Sequence, residues 1–151
     1  MKRAALVGWL LVGCGSAPLA PLRIVNESTY AEQFALDILS ATADVAGDDI
    51  ALDGWRLTMR EHVGGGCAGD AGCTNVGLRT INAPFPHPDE LGWTPETMRA
   101  TIAGVLCHEL GHAYFYESIG NSDHDHAHNA VWFDYNAPGS VCYEVATRFA
   151  R

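Results

Sequence analysis

From residue 29 to residue 43 the apolar side chains recur at helical spacing. Phe34, Ile38 and Leu39 gather with Ala31, Ala35 and Ala41, and Ser28 or Thr29 stands where an N-cap belongs. The stretch Trp55-Arg56-Leu57-Thr58-Met59-Arg60 alternates apolar and polar residues and predicts a half-buried strand. Residues 64–74 (GGGCAGDAGCT) predict a loop, and residues 76–81 a second strand. Residues 82–92 carry Pro84, Pro86 and Pro88 and predict irregular chain. Thr94-Pro95-Glu96 then places a cap, a proline at the first helical position and an acid at the positive end of the dipole. The helix so begun should run to Ile119 and stop at Gly120, with Ile102, Val105, Leu106, Leu110 and Ala113 as its apolar face. Val131, Trp132 and Phe133 are core candidates, and the segment around Tyr143-Glu144-Val145-Ala146 suits a C-terminal helix. The sum is an α+β domain: an N-terminal helix, a short mixed sheet and one long helix, with no internal repeat and no second domain.

With 151 residues the chain has room for one modest core. A hydrophobic content of 48% with 18% charged residues excludes wholesale disorder. A formal charge of −9 and a pI near 5.0 exclude a broad basic surface, so no nucleic-acid partner is expected. Lys2 and Arg3 precede an apolar stretch, residues 4–12, that is too short to span a bilayer as a mature helix. It ends Leu11-Val12-Gly13-Cys14, which resembles the lipobox of bacterial lipoproteins. That resemblance implies a signal peptide over residues 1–13, a diacylglycerol on Cys14, a tether over 14–22 (GSAPLAPL after the cysteine) and a folded domain over 23–151. An ordinary secretory signal cut after Ala17 or Ala20 is the alternative. Gly15 in place of aspartate after the cysteine resembles the sorting pattern for the outer membrane of a bacterial envelope. Without Lys2 and Arg3 the nine basic residues fall to seven against 18 acidic, and the charge moves from −9 to −11. Attachment to a membrane is therefore expected through the lipid only.

The long helix contains His108-Glu109-Leu110-Gly111-His112. Histidines at i and i+4 lie one turn apart on one face, so both imidazoles can reach one metal ion, and the glutamate beside the first can reach a water on it. This is the HExxH signature, and the chain resembles the zincin superfamily of zinc metallopeptidases. The resemblance rests on this helix. It implies a small zincin-like domain binding one Zn²⁺ through His108 and His112, with Glu109 as general base for hydrolysis of peptide bonds by metal-activated water. It also implies an edge strand that pairs with an extended substrate, for which residues 76–81 are the candidate. The longer metzincin pattern is absent: Phe115 and Ser118 stand where that pattern has glycine and a third histidine, and no methionine follows His112. For an oxyanion donor, Tyr116, Tyr135, Tyr143 and His87 are candidates.

A catalytic zinc needs a third protein ligand. The helix overshoots His112 by seven residues, roughly 10 Å at the helical rise, and about three or four extended residues return that distance. In the run Asp123-His124-Asp125-His126-Ala127-His128, His128 has the most slack and is the leading candidate, with His124 and His126 as alternates. Glu144 is the alternative that gluzincins suggest, and Asp123 or Asp125 the one that aspzincins suggest. With Cys14 lipidated, four cysteines remain. Cys67–Cys73 would close a glycine-rich loop, which leaves Cys107–Cys142 to tie the residue before His108 to the C-terminal segment. Two further functions fit the same residues: a lipoprotein that captures zinc with His108, His112, His124, His126 and His128 without catalysis, and a catalytically silent surface protein.

Overall fold

A computed structural model describes residues 19–62, 71–123, 132 and 134–151. Among these residues the chain forms four helices and a four-stranded mixed sheet in the order β1 (Arg23–Glu27), α1 (Glu32–Ala46), β2 (Arg56–Arg60), β3 (Cys73–Asn75), β4 (Thr80–Pro84), α2 (Pro88–Leu91), α3 (Pro95–Ile119) and α4 (Val141–Phe149). The sheet order is β1-β2-β4-β3. β1, β2 and β4 run parallel, and β3 lies antiparallel to β4 at one edge.

The long helix keeps its expected bounds because both ends are chemically fixed. The Thr94 hydroxyl accepts from Thr97 N–H at 3.2 Å, and Gly120 takes the left-handed conformation at φ 72° while its N–H returns to Tyr116 O at 2.9 Å. Hydrogen bonds from its own backbone N–H and from Thr94 hold the Glu96 carboxyl below its usual pKa. α1 starts later than expected. Ser28 is consumed by the turn after β1: its N–H and hydroxyl both donate to Asn26 Oδ1 at 2.9 Å, so Ala31 takes the cap position without a side-chain bond.

Three expectations change. β2 is not half-buried: Leu57, Thr58 and Met59 are all buried, because β2 is flanked by β1 and β4 and both its faces are covered. Of the strand expected over 76–81, residues 76–79 form the turn of a hairpin instead, while Thr80 and Ile81 open β4. Asn75 Oδ1 accepts from Leu78 N–H at 3.0 Å, Arg79 sits at φ 50°, and the flanking strands are Cys73–Asn75 and Thr80–Pro84. The proline-rich stretch is not wholly irregular either. β4 runs to Pro84 at its very end, and Pro88 opens one helical turn capped by His87, whose Nδ1 accepts from Asp89 N–H at 3.3 Å. β1, unmarked by alternation, completes the sheet.

The core gathers Phe34 and Ile38 of α1, Trp55, Met59 and Ile81 from the sheet side, and Ile102, Leu106 and Leu110 of α3. Trp132 is buried, stacks on Tyr114 with centroids 4.7 Å apart, and donates from Nε1 to Cys107 O at 3.4 Å. Val131 and Phe133 lie outside the described residues. Cys107 and Cys142, both buried, form a disulfide with their Cα atoms 5.4 Å apart and so bind α4 to the middle of α3. The bridge spans 35 residues of sequence. Replacing both cysteines by alanine is expected to lower stability by about 3–4 kcal/mol, read as a lower midpoint in urea unfolding; an unchanged midpoint would remove the bridge from the account of stability.

Candidate active site

α3 places His108 and His112 on one face, with ring centroids 5.1 Å apart and planes inclined by 73°. His112 Nδ1 lies 2.9 Å from Ser122 O. A carbonyl only accepts, so Nδ1 carries a proton, and in the neutral ring Nε2 holds the lone pair. Asp123 Oδ1 lies 3.4 Å from the same Nδ1. Such partners on the far side of an imidazole fix the ring and its tautomer, as metal-ligating histidines require. The Gly120 stop brings this about, since the chain turns there and carries Ser122 and Asp123 back beside His112.

Glu109 is only 5% exposed. Burying a carboxylate demands a donor, and Thr74 of β3 supplies it: its hydroxyl lies 2.7 Å from Glu109 Oε2 and 3.0 Å from Glu109 O, serving one of them at a time. The residue before β3 must also be small. A Cβ on Gly72 would lie 2.9 Å from Glu109 Oε1 and 3.1 Å from Val105 Cγ1. Gly104 likewise admits Tyr135, because a Cβ there would lie 2.9 Å from Tyr135 Cβ.

His108, Glu109 and His112 open onto a cleft of about 490 Å³ whose walls include Thr74, Asp123 and Tyr135. Val105, Ala71 and Tyr135 are shared with an adjoining apolar pocket of about 330 Å³ reaching Trp93, Met98 and Ile102. Of the expected site residues, the structure thus brings together His108, Glu109, His112, Asp123 and Tyr135. Glu144 does not join them: it is exposed on α4, away from the cleft wall. Tyr116 packs edge-on against Trp55 at 6.4 Å, Tyr143 borders a separate depression, and His87 caps α2. His124, Asp125, His126 and His128 lie outside the described residues, as does Cys67; Cys73 is disulfide-bonded. Among the described residues no three His, Cys, Asp or Glu side chains form a group able to hold a metal ion.

The edge position expected of residues 76–81 belongs to Cys73–Asn75, because β4 is covered on both sides by β2 and β3. Gly72 and Thr74 are site residues that the sequence reading assigned to a loop. Their only mark is a glycine and a hydroxyl at the end of a glycine-rich stretch.

Comparison with family models, with curated proteins and with solved structures gave no match for this chain.

The donor set suits zinc in two respects: two imidazoles one helical turn apart, one of them with its Nδ1 already held by a carbonyl. Gly72→Ala is expected to cost about 1–3 kcal/mol by overpacking against Glu109, whereas Gly77→Ala, in the hairpin turn with room around it, should change the thermal midpoint little. Equal melting of the two variants would mean that Gly72 does not make the space for Glu109.

Proposed function

We propose that this chain is a lipid-anchored zinc metallopeptidase of a bacterial envelope, placed at the outer membrane. The observation that carries the reading is a buried, hydrogen-bonded Glu109 between two histidines that open onto one cleft beside a sheet edge. His108 and His112 would hold the zinc, with a third ligand from the histidine run, His128 before His124 or His126. Bound there, zinc supplies Lewis acidity toward a substrate carbonyl and makes water nucleophilic at neutral pH.

The remaining work falls to the chain. Glu109 accepts a proton from the attacking water and returns it to the leaving amine. Thr74 holds the carboxylate in place through Oε2. Ser122 O keeps His112 in the tautomer whose Nε2 can donate its lone pair. β3, at the edge, offers backbone groups to an extended peptide, and the apolar pocket past Val105 favours a substrate with a large apolar side chain near the bond cut. Tyr135, on the cleft wall, is the tyrosine best placed to meet the substrate.

The mature chain, purified without a histidine tag, is expected to carry one equivalent of zinc and to lose it on His112→Ala. Glu109→Gln should keep the zinc while lowering peptide hydrolysis by about 10²–10⁴-fold. An unaffected rate in Glu109→Gln would remove the proposed base. Two or more equivalents would favour zinc capture by the histidine run, and no metal after zinc addition would sink the enzyme reading.

A further inference from the structure

The mature chain has seven basic residues, all arginine, and three of them meet at one end of the sheet. Arg23 opens β1, and Arg56 opens β2 in register with it. Arg79 directly precedes β4, and its carbonyl accepts from Arg56 N–H at 2.9 Å. Because β1, β2 and β4 are parallel, all three enter the sheet at the same end. They line a depression of about 390 Å³ that also takes in Gly54 and Leu78.

Arg79 is bound there: its Nη2 lies 3.0 Å from Glu117 Oε1, and its Nη1 donates to Asp53 O at 3.0 Å. Arg23 and Arg56 are exposed and have no ion-pair partner among the described residues. Like charges opposite one another on neighbouring strands are destabilising, so this pair favours an anion between or over them. Asp53, on the turn beside Gly54, is an exposed carboxylate at this end, as is Glu117, which Arg79 pairs.

Two further observations say which anion. Leu78 and Leu19 are the most exposed large apolar side chains described, at 72% and 58%. Leu78 lines the same depression, and Leu19 lies against Gly54 on its wall. Leu19 also follows Cys14, the expected site of the lipid, by only five residues. No helix of the described residues is long and apolar enough to cross a membrane. A phosphate surface with an apolar layer behind it meets both the arginines and the leucines.

We propose that this end of the sheet is a docking face for an anionic phospholipid bilayer, with Arg23 and Arg56 gripping lipid phosphates while Leu19 and Leu78 enter the headgroup layer. Arginine suits the task because its planar guanidinium binds phosphate through paired N–H bonds. This adds a second contact to the attachment expected through the lipid only, and the chain's overall negative charge does not oppose it, since screening over about 8 Å leaves only charges near the surface to act. The face goes beyond the peptidase reading and does not depend on the zinc site.

The test uses the exported mature chain carrying Leu78→Trp, mixed with vesicles of brominated phosphatidylcholine, either alone or with about a third phosphatidylglycerol as the anionic lipid. The introduced indole should shift to the blue and be quenched in the anionic vesicles only. At roughly five-fold per arginine, Arg23→Gln with Arg56→Gln should lower the docked population about 25-fold. About 0.5 M salt, which shortens screening to roughly 4 Å, should abolish it as well. Leu19→Trp gives a second reporter at the other flank. Equal quenching in neutral vesicles, or an equal loss from Arg148→Gln on α4, would overturn the proposal. So would the same spectral change on adding glycerol phosphate without a bilayer, which would make the depression a small-anion site.

Discussion

A carboxylate buried in the wall of a cleft is the constraint around which this molecule is arranged. Glu109 lies on the face of α3 that meets the edge strand, and a buried carboxylate without a donor costs more than one side chain's packing returns. Thr74 donates to it, Gly72 leaves the room, and the hairpin of β3 and β4 holds both against the helix. The hairpin is in turn fixed to β2 by β4, and β2 to β1. The sheet thereby serves as the mount for one hydrogen bond.

α3 has to satisfy two environments along a single length. Ile102, Leu106 and Leu110 enter the core, while His108 and His112 face the cleft. Cys107, one position before His108, is bonded to Cys142, so the turn that carries the first histidine is fastened to α4 from behind. Trp132 adds its indole N–H to the Cys107 carbonyl on the same turn. The histidine pair is therefore held at the N-terminal side by a covalent bridge and at the C-terminal side by the Ser122 carbonyl.

The parts of this arrangement governed by local chemistry were legible in the sequence. The bounds of α3 follow from Thr94, Pro95 and Gly120, and the pairing of His108 with His112 follows from helical spacing alone. The hairpin was not legible, because Val76 and Leu78 mimic a strand while Asn75, through one side-chain bond to Leu78 N–H, makes a turn. Thr74 and Gly72 act through contacts with helix residues more than thirty positions away, and no local pattern encodes that distance. β1 was missed for a similar reason, being a short strand whose identity comes from its parallel partner β2. The clustering of Arg23, Arg56 and Arg79 is likewise a product of topology, and net charge averages it away.

Gly104 has one more consequence. Its missing side chain lets Tyr135 lie against α3, and Tyr135 borders both the polar cleft and the apolar pocket beside it. The phenol is thus a partition between two compartments, and its seat is an empty space on the helix. A methyl group at position 104 would meet Tyr135 Cβ at 2.9 Å and push the partition outward, redrawing the boundary between the compartments from behind. The shape offered to whatever enters the cleft is in this way set by a residue that has no side chain to touch it.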